Sequence, residues 1–177
     1  MRSRFRIIST MEEVQMQPIE LRDQLFSIKV EVLEGGMLPT KAHASDAGFD
    51  LYATSDFTVW PGQVVKHPLN LKMQLPLSTY VSIESKSGLG AQGLLIYAGV
   101  IDCGYRGIVH AVMTNLRTRG DDGEFLDINR AKIVIKKGQK IAQCIPYPFS
   151  TAYYVQQVES VITDTTRGDG GFGSSGK

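Results

Sequence analysis

Residues 85–90 combine two hydroxyl groups, one cation and two glycines at the end of a predicted β-strand. Backbone N–H groups of such a glycine-rich turn bind phosphate well when a positive charge and hydroxyl donors assist them. The segment therefore suggests a phosphate-binding turn with Lys86, Ser87 and Gly88 as ligands. Short motifs of this kind also occur as ordinary surface turns, and the residues alone leave that alternative open.

A second segment, residues 99–109, has the pattern of a strand, a turn and another strand. This pattern predicts a β-hairpin in which Asp102 enters the turn. Taken alone, such an aspartate is expected to satisfy backbone N–H groups of its own turn. Tyr105 fits a half-buried strand position, and Arg106 fits either a structural ion pair or a surface residue.

Two further segments place polar side chains next to glycines. Residues 138–143 form a predicted turn and strand in which Gln143, when buried, needs hydrogen-bond partners. Residues 167–176 combine one arginine with glycines, two serines and Phe172. This composition suits a lid whose backbone closes over phosphate groups while the aromatic ring stacks on a planar ligand. A disordered tail has the same composition, and this alternative also stays open.

Composition disfavours several other kinds of site. The three histidines lack the spacing of metal ligands, and Cys103 and Cys144 form no C-x-x-C motif, so we expect neither zinc nor a disulfide framework. No serine or cysteine has an identifiable base partner, which disfavours nucleophilic catalysis. The formal charge of +1 gives no overall attraction to nucleic acid. No apolar run approaches the roughly 18 residues of a membrane span. We therefore expect no nucleic-acid or membrane partner.

The elements that must position these segments are short β-strands between turn residues. The predicted strands are residues 27–33, 48–53, 63–67, 69–75, 80–85, 107–115, 133–135 and 140–147. Because long helices are missing from this pattern, two sheet faces must cover each other, which predicts a single all-β sandwich or jelly roll. We place this domain at residues 28–162. An extension with a short capped helix at residues 10–13 precedes it in residues 1–27, and the lid follows it in residues 163–177.

Taken together and in this order, the segments resemble the five motifs of the trimeric dUTPase family. Each match is modest by itself, but five matches in the family's order are not expected by chance. The resemblance covers about residues 28–176. The five matching segments are residues 44–53, 85–90, 99–107, 138–143 and 167–176.

The resemblance implies a jelly-roll subunit of the β-clip type and a homotrimer whose three active sites are each built from all three chains. It implies hydrolysis of dUTP to dUMP and pyrophosphate, which limits uracil incorporation into DNA and supplies dUMP for dTMP synthesis. The uracil would be bound by backbone groups of Gly99, Val100 and Ile101. Tyr105 would pack on the deoxyribose and leave no space for a 2′-hydroxyl group.

The resemblance also implies the chemistry. Asp102 would be the general base for a water that attacks the α-phosphorus. Mg²⁺ would bridge the three phosphates and keep most of its water ligands, with Asp50 as a partner through such a water. The other implied ligands are Lys86, Ser87 and Gln143 of a neighbouring subunit and Arg167, Phe172, Gly173, Ser174 and Ser175 of the closing tail, with Phe172 stacked over the uracil.

Two positions depart from the family pattern, since Lys86 replaces the usual arginine and Gly90 replaces alanine or serine. Lysine keeps the charge but loses the planar fork of the guanidinium group. The connection from Asn115 to Gly138 is longer than usual. A solvated loop is its default interpretation.

Two other functions stay open from the sequence. The related dCTP deaminases share the fold but lack the glycine-rich tail and use a glutamate base, so the tail and Asp102 speak against that activity. A dUTPase-like binding protein would use the loop near Asp121 to contact a protein partner. An intracellular location, cytoplasmic or nuclear, is expected, and either a cellular or a viral source agrees with the sequence.

Overall fold

The computed structural model of the chain describes residues 27–120 and 122–161. The helix expected at residues 10–13 and the lid expected at residues 163–177 lie outside them. In chain order the strands are β1 Lys29–Val32, β2 Phe49–Tyr52, β3 Phe57–Val59, β4 Val64–Pro68, β5 Leu71–Gln74, β6 Thr79–Ser85, β7 Leu94–Ala98, β8 Val100–Ile101, β9 His110–Asn115, β10 Ile133–Ile135 and β11 Lys140–Pro148. The helices are α1 Ser87–Ala91, after β6, and α2 Ile128–Ala131, after β9.

The strands form two principal sheets. One has the strand order β2-β11-β6-β8 and the other the order β4-β9-β7, and the pairs β1-β5 and β3-β10 add two smaller ladders. Every ladder is antiparallel, and the longest joins β6 to β11 over seven residue pairs. The predicted all-β fold is confirmed.

Side-chain alternation along the strands builds one hydrophobic core. Successive side chains of a strand point to opposite faces, so every second residue of β5 and β10 is buried, as are Val81 and Ile83 of β6. Each fully buried aliphatic side chain contributes about 1.5–3 kcal/mol relative to its exposed state. The largest fully buried aliphatic side chains are Leu51, Leu69, Leu71, Met113, Ile135 and Ile141.

Strands β3 and β7 were not predicted from the sequence. β3 has only three residues, too few to show a period of two. β7 has one buried residue at its start, and its other side chains are exposed or half-buried, so the apolar sequence LLIYA gives no alternation. The two short helices were not predicted either, because one turn of helix has no hydrophobic periodicity of its own.

The predicted hairpin at residues 99–109 is wrong. Its first side forms β8, which pairs with β6 instead of with the residues after the turn. On its second side, Val109 donates a backbone hydrogen bond to Leu71 and accepts one from Leu69, both 2.9 Å long. The two sides therefore do not pair with each other, and the turn around Asp102 connects two segments that pair with different parts of the chain.

Buried Asn115 holds both ends of the long connection between β9 and β10. Its side-chain amide donates to the carbonyl oxygens of Val59 and Ala131 at 2.9 Å, and its Oδ1 accepts from the backbone N–H of Arg117 at 2.8 Å. Farther out, the Arg119 guanidinium lies 3.7 Å from the centre of the exposed Phe125 ring. In the part that the structure describes, the connection is thus attached to the core near both of its ends.

Both cysteines are free thiols, as the sequence predicts. Burial raises the pKa of the Cys144 thiol to about 11, so this residue is an inert core side chain at neutral pH. Within residues 27–120 and 122–161, no helix has the length and apolar character that a membrane crossing requires.

Buried His67 is held in its neutral form. Its ring stacks on Phe57 at 4.2 Å between centroids, and its Nε2 accepts a hydrogen bond from the backbone N–H of Thr54 at 3.0 Å. Because an amide donates to Nε2, that nitrogen carries no proton. Burial and the nearby charge of His110 lower the pKa of His67 below its ordinary value of 6.5.

This environment predicts acid-sensitive stability. The unfolded chain binds a proton at His67 near pH 6.5, whereas the folded chain resists it, so the stabilising contribution is present above pH 6.5 and is lost as pH falls through the lower folded pKa. We expect H67Q to flatten the decline of the unfolding temperature between pH 7 and pH 5, measured by circular dichroism. H43Q, at an exposed histidine, should keep the wild-type slope. A slope unchanged in H67Q would contradict this interpretation.

Candidate active site

Three of the sequence motifs meet on one face of the large sheet. β11 lies between β2 and β6, and its register places Gln143 opposite Asp50 on one side and opposite Glu84 on the other. Lys86 directly follows the last residue of β6 and is the N-cap residue of α1. The antiparallel pairing therefore brings together side chains that are far apart in sequence.

Asp50 is a buried carboxylate bound by two lysines, and these three residues are called the Asp50 cluster. Lys86 Nζ lies 2.5 Å from Oδ1 and Lys140 Nζ lies 2.7 Å from Oδ2. Burial raises the pKa of the Asp50 carboxyl group, but the hydrogen bonds and charges of Lys140 and Lys86 outweigh it and leave the pKa below its ordinary value. The contact with Asp50 also raises the pKa of Lys140. Two ammonium groups against one carboxylate leave a net positive charge.

Lys140 is a site residue that sequence reasoning missed. Residues three apart on a regular strand point to opposite faces, which would separate Lys140 from Gln143. The β2–β11 register shifts between Lys140 and Ala142, as in a β-bulge, and Lys140 then lies opposite Tyr52 on the face that carries Asp50. No residue type in this segment indicates the bulge, so the contact between Lys140 and Asp50 was not predictable from the sequence.

The Gln143 side chain is fixed next to the Asp50 cluster. Its amide donates to the carbonyl oxygen of Ser85 at 3.2 Å, which satisfies the hydrogen bonding expected for a half-buried glutamine. A Cβ atom at Gly48 would lie 2.9 Å from Gln143 Oε1, so the glycine of the first motif leaves room for this side chain. The first, second and fourth motifs therefore pack against one another within one chain.

The second motif ends β6 and begins α1, as expected for a turn at the end of a strand. Buried Leu89 attaches the helix to the core, while Ser87 and Gly88 are exposed beside Lys86. The first N–H groups of a helix have no partner within the helix and point away from it. Their direction and the net positive charge of the Asp50 cluster suit a bound anion.

The third motif lies on the edge strand β8. Gly99 approaches β6 closely: Ile83 donates its backbone N–H to the Gly99 oxygen at 2.7 Å, and a Cβ at Gly99 would lie 2.6 Å from the Ile83 oxygen. Beyond β8, exposed Asp102 accepts the backbone N–H of Tyr105 at 3.0 Å through its carbonyl oxygen.

The ring of Tyr105 is held over the following residues. Its hydroxyl donates to the Ile108 oxygen at 3.0 Å, and the ring lies where a Cβ on Gly107 would be. Arg106 donates to the carbonyl oxygens of Cys103 and Tyr105 at 2.7 and 2.8 Å, so it stabilises the turn. Arg106 is exposed, in agreement with the expected surface residue, and it forms no ion pair with the described residues. The expected half-buried strand position of Tyr105 is wrong, since this residue is 42% exposed and lies outside the strands.

A single chain does not bring Asp102 and Lys86 together. Ile101 pairs with Val81, so Asp102 continues toward the start of β6, whereas Lys86 lies beyond the other end of that strand. At a rise of about 3.3 Å per residue, the intervening residues of β6 separate them by roughly 15–20 Å. The expected tail ligands Arg167, Phe172, Gly173, Ser174 and Ser175 lie outside the described residues.

Comparisons with known proteins agree on one family. The dUTPase family model matches residues 35–176. The deoxyuridine 5′-triphosphate nucleotidohydrolase of Clostridium kluyveri is 38% identical over 143 residues, covering 79% of this chain and 90% of the relative. The Rhodococcus erythropolis protein of the same name is 39% identical over 142 residues, 78% of this chain and 79% of the relative. The chain belongs to the dUTPase family. It is a dUTP diphosphatase that hydrolyses dUTP to dUMP.

A solved structure supports the same assignment. The Staphylococcus bacteriophage 80alpha dUTPase with dUPNHPP superposes with a TM-score of 0.72 at 26% identity, covering 85% of this chain and 98% of that protein. The dUTPase subunit has the predicted β-clip jelly-roll fold. The matching family model and the named relatives favour dUTP hydrolysis over the first alternative function.

The close approach at Gly99 gives a stability prediction. We expect G99A to lower the free energy of unfolding by about 1–3 kcal/mol, the usual effect of overpacking, because the added methyl group meets the β6 backbone. G104A is the matched control in the same motif, since a Cβ there meets nothing within 4 Å. It should change stability by less than about 0.5 kcal/mol. Equal urea midpoints for the two variants would refute the close packing of β8 on β6.

Proposed function

We propose that this dUTPase is a homotrimer in which each active site joins the Asp102 turn of one subunit to the Asp50 cluster of a neighbour. The observation that supports the proposal is the position of these two groups near opposite ends of β6. A triphosphate is shorter than the roughly 15–20 Å between Asp102 and Lys86. A single subunit could therefore not bring the general base Asp102 and the phosphate ligands to the same substrate. A symmetric assembly supplies the missing half.

The uracil would bind along the free edge of β8. This strand ends the sheet order and pairs only with β6 among the described residues. The Gly99 oxygen faces β6, where it accepts from Ile83, and the backbone groups of residues 99–101 that do not bond to β6 face outward. An unpaired strand edge offers alternating N–H and C=O groups, the donor and acceptor types that a pyrimidine edge requires. The fixed ring of Tyr105 would then lie against the deoxyribose and exclude a 2′-hydroxyl group.

Asp102 would act as the general base. Its carboxylate is exposed and forms no salt bridge or side-chain hydrogen bond within residues 27–120 and 122–161. It is therefore available to accept a proton from a water that attacks the α-phosphorus. Attack at the α-phosphorus would release pyrophosphate and leave dUMP. The phosphates would be held by four residues of the neighbouring subunit, Lys86, Ser87, Gly88 and Gln143.

The described residues are compatible with a magnesium ion that would enter the site bound to the substrate. They contain no group of three or more acidic, histidine or cysteine side chains that could hold a metal. Mg²⁺ at a triphosphate typically keeps several waters and needs few protein ligands. Each oxygen of Asp50 accepts one lysine and retains a second acceptor direction for a metal-bound water. When bound, the ion would neutralise the developing phosphate charge.

The glycine-rich tail would complete the site. Arg167, Gly173, Ser174 and Ser175 would contact the phosphates and Phe172 would stack on the uracil, which rests on the family resemblance of residues 167–176. In the cell, the reaction would limit uracil incorporation into DNA and supply dUMP for dTMP synthesis.

The base assignment is tested with D102N. The amide is nearly isosteric with the carboxylate but takes up no proton, so we expect an intact assembly that binds dUTP and loses about 10²–10⁴-fold in kcat. Release of pyrophosphate measures turnover, and size-exclusion chromatography with light scattering measures assembly. Near-normal turnover in D102N would show that another group activates the water.

The lid proposal is tested by removing residues 166–177. We expect the assembly and the unfolding temperature to stay as in the full chain while turnover falls sharply, because a closing segment contributes to catalysis rather than to the core. Aggregation or loss of the trimer in light scattering would instead assign this segment a structural role.

A further inference from the structure

The Asp50 cluster contains one more cation than the proposed phosphate contacts require. The side chain of Asp50 is 8% exposed, and its two oxygens are divided between two lysines, Oδ1 to Lys86 and Oδ2 to Lys140. The lysines come from different elements, one from the β6–α1 junction and the other from the start of β11. Each could therefore move without displacing the other.

An ion pair between Asp50 and Lys86 alone would oppose phosphate binding. A buried carboxylate that loses its only counter-charge is strongly destabilised, so Lys86 would be held on Asp50 and kept from an incoming anion. Lys140 removes this conflict, since its ammonium group already neutralises the carboxylate through the second oxygen. Lys86 then leaves Asp50 without exposing an uncompensated buried charge.

The surroundings of the two lysines agree with this division of roles. Lys86 stands directly before the exposed Ser87 and Gly88, the turn that suits a bound anion. Lys140 lies on the opposite flank of Asp50, across from Tyr52, and the bulge in β11 directs it back to the carboxylate. Its ammonium group contacts the carboxylate oxygen of Asp50 that Lys86 does not use.

We propose that Lys140 is a positioning residue that serves as the permanent counter-ion of Asp50 and thereby frees Lys86 to bind the substrate phosphates. This inference rests on the proposed role of Lys86 in phosphate binding. It differs from a simple structural ion pair because it predicts a selective effect on ligands that carry phosphate.

The test compares two ligands that share the base and sugar, the non-hydrolysable triphosphate dUPNHPP and deoxyuridine. In K140M, Lys86 is free in a smaller fraction of molecules, and the apparent Kd rises in inverse proportion to that fraction. A free fraction of one tenth raises the Kd for dUPNHPP about tenfold. The Kd for deoxyuridine should not change. K140R, which keeps the charge, should restore dUPNHPP binding to within about threefold of wild type. Ligand-observed NMR titration gives both constants.

The matched control is K136M. Lys136 forms an ion pair with Asp56 at 2.8 Å, but both side chains are largely exposed, at 70% and 58%. Removing it should leave both Kd values at the wild-type level. An equal loss of affinity for both ligands in K140M, failure of K140R to restore binding, or no effect of K140M would overturn the proposal.

A double-variant cycle separates an indirect role from direct phosphate contact. If Lys140 acts by neutralising Asp50, adding K140M to D50N, which removes the carboxylate charge, should change the Kd for dUPNHPP very little. If Lys140 contacts the phosphates itself, the two losses multiply, and the proposal is wrong. Should K86A alone leave triphosphate binding unchanged, the underlying role of Lys86 fails instead. The two failures are therefore distinguishable.

Discussion

The buried charge of Asp50 constrains the whole site. A carboxylate that is removed from water must be paired, and this sheet supplies the partners only when β2, β11 and β6 keep their register. That register joins Asp50 to Lys140 and Lys86 and places Gln143 beside them. The same interactions that satisfy one buried acid thus concentrate positive charge next to the exposed turn at Ser87.

The sequence predicted most strands because apolar alternation reports directly on one buried face. It failed where pairing depends on distant segments. The hairpin around Asp102 has every local signal, yet β8 pairs with β6, because Gly99 permits a backbone approach to Ile83 that no local pattern shows. Local propensity is readable from neighbouring residues, whereas the choice of a strand partner is a tertiary property.

The site was partly predictable for the same reason. Asp50 and Gln143 were identified through the family motifs, and the structure places them opposite each other. Lys140 was missed, since its contact with Asp50 depends on a shift in register that places it on the face of Tyr52. Whether a polar residue lies in a site depends on the backbone geometry as well as on the residue type. Here a single bulge in β11 decides on which face of the sheet Lys140 lies.

The shape of the large sheet also accounts for why one chain would be an incomplete catalyst. β8 presents Asp102 toward one end of β6, while the Asp50 cluster lies at the other, and both positions follow from antiparallel pairing within a rigid core. In the proposed assembly, a neighbouring subunit would bring the phosphate ligands to the uracil-binding edge of β8.

The most direct measurement of this shared site is activity in mixed trimers. D102N chains and K86A chains, refolded together at equal amounts, should regain about one quarter of wild-type sites, since half of the sites have an intact Asp102 and half of those an intact Lys86. Wild type refolded with a D102N/K86A double variant should also give about one quarter, whereas a site within one chain gives about one half. No gain of the first mixture over its parents, together with about half activity in the second, would contradict the shared active site.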